Sequence, residues 1–160
     1  MLTLGIDPGT ATTGFGLVTE KNGQLVFVDH GAILTSSKAS PQARLKIIYN
    51  RVKQLIAEFK PKVVAVEKLF FGVNSKTAIA VGQARGMSLL AAAESGIQVA
   101  EYTPLEVKMA LTGYGRADKK QMQQMVKTLL KLSFLPKPDD AADALAVAIC
   151  HVHSYRLTSV

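Results

Sequence analysis

The sequence predicts an α/β fold, in which an antiparallel meander and two parallel strands form a mixed five-stranded sheet flanked by helices. The first observation is a run of three strand-like segments at the start of the chain. The second is the Asn22-Gly23 pair between two of them, which is typical of a tight β-hairpin. The third is that each of the two later strand-like segments follows a helical segment, as parallel strands require. We therefore expect the meander and the parallel strands to share one sheet.

The strands are predicted from short apolar or alternating runs that end at turn-forming residues. Pro8-Gly9 breaks the first run sharply, and the fourth is a β-branched run typical of a buried central strand. The predicted strands cover residues 2–7, 13–19, 25–34, 62–67 and 97–102.

The helices are predicted from apolar residues at helical spacing and from start and stop signals. Ser40-Pro41 supplies an N-cap and a first-turn proline, and Gly96 ends the second helix. The last helix begins at Asp139 or Asp140 and runs past Cys150. The other predicted helices cover residues 41–59, 75–95, 103–113 and 117–132.

Composition narrows the class of protein. The 160 residues, with 48% hydrophobic side chains and no repeat or linker, predict one domain over residues 1–160. The single Cys150 excludes an internal disulfide or a cysteine-rich zinc site. No secretory signal opens the chain, and no apolar run approaches the roughly 20 residues that span a bilayer, so we expect an intracellular, cytoplasmic protein without membrane contact. The net charge of +7 favours an anionic partner such as nucleic acid, although many small soluble proteins are simply basic.

The positions of the acidic residues indicate a metal site. Asp7 and Glu67 each end a predicted central strand, and Asp139, Asp140 and Asp143 open the last helix. Carboxylates that converge at one end of a sheet repel one another unless a cation lies between them, and oxygen ligands suit Mg²⁺ or Mn²⁺. Two such ions can activate water and stabilise the leaving oxygen in phosphodiester cleavage. Taken singly, each acid could instead serve a turn, a solvated strand end, a helix cap or the helix dipole.

The glycine-rich stretch of residues 5–14 leaves an alternative function open. It follows a strand but precedes another strand, so it fits neither a P-loop nor a dinucleotide-binding fingerprint. It is similar to the phosphate-binding hairpin of actin-like kinases and ATPases. Those proteins need two lobes around the nucleotide, and 160 residues barely supply one.

Four segments, in order along nearly the whole chain, resemble the RuvC family of bacterial Holliday junction resolvases. They are Gly5-Ile-Asp-Pro-Gly, Ala65-Val-Glu-Lys-Leu-Phe, Gly82-Gln-Ala-Arg-Gly and Asp140-Ala-Ala-Asp-Ala-Leu-Ala. The resemblance implies a ribonuclease H-like fold, a single nuclease domain, a homodimer and a role in recombination and DNA repair. It implies Mg²⁺-dependent symmetric nicking of four-way junction DNA, with 5′-phosphate and 3′-hydroxyl products, alongside a RuvA–RuvB branch-migration complex.

The resemblance also assigns the site. Its catalytic and metal-binding acids would be Asp7, Glu67, Asp140 and Asp143, with two ions per site during cleavage. Spacing alone does not separate Asp139 from Asp140, whereas the family pattern favours Asp140.

A basic cluster predicts the DNA surface. Residues 105–131 hold six basic side chains against two acidic ones around a glycine loop, a pattern that can track a phosphate backbone or form a solvated helix face. Lys108 and Lys119 match phosphate-contacting lysines of the family, and Phe70 matches an aromatic that stacks on junction bases, although the adjacent Phe71 is an alternative. The role of Arg85 stays open between a dimer interface and DNA. The predicted DNA-binding residues are Phe70, Phe71, Lys108, Arg116, Lys119 and Lys120.

Overall fold

Five strands form one sheet in the order β3-β2-β1-β4-β5 in the computed structural model, which describes residues 1–68 and 75–158. The strands are β1 (Thr3–Asp7), β2 (Thr12–Lys21), β3 (Gln24–Leu34), β4 (Val63–Glu67) and β5 (Gln98–Tyr102). The helices are α1 (Pro41–Phe59), α2 (Ser75–Glu94), α3 (Pro104–Thr112), α4 (Lys119–Leu129) and α5 (Asp139–Thr158). The predicted mixed sheet of a meander and two parallel strands is therefore confirmed.

The pairing of the central strands brings two acidic residues to one edge. β1 pairs with β2 in the antiparallel sense and with β4 in the parallel sense, with Ile6 opposite Val66. Because neighbouring parallel strands end at the same edge of a sheet, Asp7 and Glu67 are adjacent strand ends.

Helices cover both faces of the sheet. On one face, α1 and α2 pack on Leu4 and Ile6 of β1 and on Val64 and Val66 of β4. On the other face, α3, α4 and α5 share a second apolar cluster with Ala65. Since side chains alternate along a strand, Asp7 and Glu67 are in phase with Gly5 and Ala65 and lie on the α5 face.

Glycines let the backbone of α5 lie very close to β1 and β2. A Cβ at Gly5 would stand 2.0 Å from the carbonyl oxygen of Ala144, and one at Gly14 would stand 2.0 Å from that of Asp140. Any larger residue would push α5 away from the sheet. Close backbone contact therefore fixes the first turn of α5 beside Asp7, whose partner across the β1–β2 ladder is Gly14.

The predicted boundaries hold at most elements, and α4 is the clearest difference. It begins at Lys119 rather than at residue 117, because the Asp118 side chain accepts a hydrogen bond from the Gln121 backbone and Gln121 returns one to the Asp118 backbone. Cys150 is fully buried in α5. Within the described part of the chain, no helix combines the length and apolar character that a membrane span needs.

Candidate active site

Three of the four predicted metal-binding acids line one cavity of about 210 Å³. Asp7 reaches it from the end of β1, Glu67 from the end of β4, and Asp143 from the second turn of α5. The predicted lysines Lys108 and Lys119 line the same cavity from α3 and α4. Its remaining wall is largely apolar, formed by Pro104, Val107, Met122, Ala146 and Val147.

Asp7 is the most strongly perturbed of these acids. Burial, followed by the charges of Asp143, Glu67 and Asp140, raises the pKa of Asp7 to about 8, while Lys119 acts in the opposite direction. Without a bound cation, this carboxyl group is therefore largely protonated near neutral pH. A positive ion beside this buried carboxyl group would strongly stabilise its ionised form.

The pKa values of two neighbouring acids are also raised. Burial raises the pKa of Glu67, with Asp143 adding to the rise and Lys108 opposing it. Burial also raises the pKa of Asp143, which Lys119 lowers and Asp140 raises again. The two lysines thus only partly offset the negative charge of this cluster.

The structure separates Asp139 from Asp140. The carboxylate of Asp139 contacts Lys119 at 3.4 Å, Lys137 at 3.6 Å and the side-chain amide of Gln123 at 3.0 Å. These contacts, Lys119 foremost, hold the pKa of Asp139 below its usual range. Asp140 does not line the cavity, but its charge acts on both Asp7 and Asp143.

The chemistry of this donor set fits a hard divalent cation. Every candidate ligand is a carboxylate oxygen, and the raised pKa of Asp7 reflects burial and, after it, like charges that a cation would neutralise. As the described side chains stand, however, no three of them are gathered into a metal-binding group. Instead the Lys119 ammonium lies 3.6 Å from the Asp143 carboxylate and partly balances its negative charge.

The predicted DNA-binding residues fall into three groups. Lys108 and Lys119 line the cavity. Arg116 and Lys120 are exposed outside it, in the loop before α4 and in its first turn. Phe70 and Phe71 lie outside the described residues.

Other polar residues prove to have structural partners. Arg85 pairs with Glu101 at 2.8 Å and so ties α2 to β5. His151 Nδ1 lies 2.7 Å from the Tyr102 hydroxyl, a contact that links α5 to β5. Sequence reasoning missed Gln123 and Lys137 as partners of Asp139. Gln123 is brought to it by the packing of α4 on α5 and Lys137 by the loop before α5, and no spacing motif encodes either contact.

Comparisons with known proteins agree with this arrangement. The family model described as "Crossover junction endodeoxyribonuclease RuvC" matches residues 3–151. A protein of that name from Syntrophomonas wolfei is 56% identical over 159 residues, which is 99% of this chain and 92% of that protein. One from Rubrobacter xylanophilus is 55% identical over 98% of this chain and 87% of its own length.

Solved structures show the same fold. Thermus thermophilus RuvC superposes with a TM-score of 0.92 at 37% identity, covering 99% of this chain and 97% of the other. The same protein in complex with a Holliday junction substrate gives a TM-score of 0.90 at 34% identity, covering 98% and 96%. The expected ribonuclease H-like fold is thus confirmed. The matches over almost the full length favour the nuclease interpretation over an actin-like ATPase, and the chain belongs to the RuvC family of crossover junction endodeoxyribonucleases.

Proposed function

We propose that this protein is a structure-specific endodeoxyribonuclease that resolves Holliday junctions by paired, symmetric nicking. The observation that carries the proposal is the cavity in which Asp7, Glu67 and Asp143 meet Lys108 and Lys119. Acids that gain from a cation, beside lysines that attract a phosphate, suit phosphodiester hydrolysis. Family membership supports the same reaction, since a relative was solved with a Holliday junction substrate.

Asp7, Glu67, Asp140 and Asp143 are the proposed metal ligands. Mg²⁺ is the proposed cofactor, with Mn²⁺ able to substitute and two ions in each site when substrate is bound. When bound, the metal supplies an activated water and stabilises the leaving oxygen. Asp7 is the central member of the set, because the charges of the other three acids all act on it.

The remaining cavity residues would hold the substrate. Lys108 and Lys119 contact the phosphates next to the scissile bond, and the apolar side chains of Val107 and Met122 limit the water around it. Hydrolysis would leave a 5′-phosphate and a 3′-hydroxyl, ends that a ligase can rejoin.

The wider DNA surface follows from the basic residues around α4. Arg116 and Lys120 would extend the phosphate contacts beyond the cavity, and Phe70 and Phe71 remain the predicted stacking residues. We propose one nuclease domain over residues 1–160 that acts as a homodimer, since two matching nicks require two related sites. The proposed setting is recombination and DNA repair in the cytoplasm, together with a RuvA–RuvB branch-migration complex.

The test is the substitution Asp7→Asn, compared with Asp29→Asn on β3, which lies outside the cavity. We expect Asp7→Asn to bind a labelled four-way junction but to lose cleavage in Mg²⁺ by several orders of magnitude, whereas Asp29→Asn should cut normally. Retained cleavage by Asp7→Asn would remove the basis for the metal site.

Substrate class needs a separate competition experiment. Unlabelled four-way junction, linear duplex and RNA–DNA hybrid would each compete for the labelled junction. We expect only the four-way junction to compete efficiently. Equal competition by the duplex or the hybrid would indicate a nuclease of different specificity.

A further inference from the structure

We propose that Asp139 is a positioning residue that holds the Lys119 ammonium beside the active site. This inference rests on the proposed function, because Lys119 matters there as a phosphate contact. It assigns Asp139 to the lysine, whereas the four proposed metal ligands are other residues. It also gives one reason for two consecutive aspartates at the start of α5.

The contacts of Asp139 support a role in holding a lysine. Its Oδ2 atom lies 3.4 Å from Lys119 Nζ. Its Oδ1 atom accepts a hydrogen bond of 3.0 Å from Gln123 Nε2 and lies 3.6 Å from Lys137 Nζ. Both oxygens therefore face cations or a hydrogen-bond donor.

Gln123 explains why Asp139 can act as a fixed anchor. It lies one turn after Lys119 on α4, so α4 supplies both the lysine and an amide that orients the carboxylate. Asp139 is the first residue of α5, the helix that carries Asp143. The three side chains thus link the beginning of α4 to the beginning of α5.

Lys119 is shared between two carboxylates. Its Nζ atom lies 3.4 Å from Asp139 and 3.6 Å from Asp143, and both pairs are about half exposed. When an Asp143 oxygen binds a metal cation, it no longer pairs with the Lys119 ammonium, because the cation and the ammonium repel each other. Asp139 then keeps Lys119 at the cavity edge, where a phosphate oxygen can replace Asp143 as its partner.

The first test follows the Lys119 ammonium directly, in metal-free protein without DNA. NMR of the lysine side-chain ammonium groups would identify the Lys119 signal by its loss in Lys119→Gln. We expect Asp139→Asn to shift or broaden this signal and Asp139→Glu to restore it at least partly. An unchanged Lys119 signal in Asp139→Asn would overturn the proposal, whatever the fate of the proposed nuclease activity.

The second test measures Mn²⁺ binding to the free protein by electron paramagnetic resonance. Without Asp139, Lys119 pairs with Asp143 alone and competes with the cation, so we expect Asp139→Asn to weaken Mn²⁺ binding by about 1.5- to fivefold, the range of one exposed ion pair. In a Lys119→Gln background the effect should shrink to that of one distant charge. In a Lys120→Gln background it should persist, because Lys120 makes no carboxylate contact among the described residues.

The outcomes separate the two proposals. A dependence of the Asp139→Asn effect on Lys119 supports the positioning role. Equal effects in the wild-type, Lys119→Gln and Lys120→Gln backgrounds would show that Asp139 acts only through its negative charge, and would overturn the positioning role. Mn²⁺ binding that Asp7→Asn leaves unchanged would instead count against the proposed metal site, and the NMR test of Asp139 would still decide the positioning role.

Discussion

Replacing Gly14 with alanine should misplace the active site without unfolding the protein. The added Cβ would stand 2.0 Å from the carbonyl oxygen of Asp140 and 2.9 Å from the backbone nitrogen of Ala141. These are backbone atoms and cannot rotate away, so α5 and β2 must separate by roughly 1 Å or more to reach ordinary contact. A misplacement of about 1 Å can cost roughly 100-fold in rate. Overpacking of this kind costs about 1–3 kcal/mol of stability.

The assay is single-turnover cleavage of a synthetic four-way junction in Mg²⁺ at saturating protein, with urea unfolding measured in parallel. We expect Gly14→Ala to lower the cleavage rate by about 100-fold while the protein remains folded. Gly86→Ala is the matched control, because a Cβ there meets no atom of the described chain within 4 Å. Wild-type cleavage by Gly14→Ala would show that the contact between α5 and the sheet does not set the geometry of the acids.

Three further predictions concern charge, capping and DNA binding. Because the pKa of Asp7 is raised, the metal-free folded protein holds this proton up to about pH 8, whereas the unfolded chain releases it near pH 3.8. The contribution of this proton to the free energy of unfolding is therefore complete at low pH and is lost as pH rises through about 8. Thermal melts in EDTA should therefore show a melting temperature that falls across this pH range, and Asp7→Asn should make the decrease smaller. A decrease of the same slope in Asp7→Asn would show that Asp7 does not cause the pH dependence. Thr103→Ala removes the side-chain acceptor of the Glu106 backbone at the start of α3 and should cost about 1 kcal/mol in urea unfolding, whereas Thr103→Ser should cost little. Lys108→Gln should reduce the slope of log affinity for junction DNA against log salt by about 0.9, as measured by fluorescence anisotropy, if this lysine neutralises one phosphate; an unaltered slope would place it off the DNA.

The central part of the fold could be predicted because its signals are local. A β-branched run before Glu67, an apolar run before Asp7 and helical spacing between them are enough to specify parallel neighbours. Strand direction then places the two carboxylates at one edge. The meeting of Asp7 and Glu67 therefore follows from chain direction and alternation, whereas Asp143 reaches their cavity through the packing of α5 on the sheet.

Other features depend on contacts that no short pattern encodes. Spacing could not distinguish Asp139 from Asp140, since their difference arises from the lysines and the amide that α4 and the preceding loop bring to Asp139. The close approach of α5 to Gly14 is equally non-local. The start of α4 was predicted at residue 117 and lies at Lys119, although Asp118 followed three residues later by Gln121 is a capping-box pattern that gives the observed start. The stacking role of Phe70 or Phe71 stays a prediction.

The single cysteine gives the protein a built-in reporter of its own opening. Cys150 is fully buried in α5, and burial raises the pKa of its thiol to about 11, so the folded protein presents neither access nor thiolate to a disulfide reagent. Labelling must then proceed through states in which α5 leaves the sheet, and its rate under fast reclosing measures their population. Because the sequence contains no second thiol, this signal comes from one place, the same helix that carries Asp140 and Asp143. Labelling rates with and without divalent cation or junction DNA would thus show how strongly each ligand stabilises α5 on the sheet, the helix that carries two of the four proposed metal ligands.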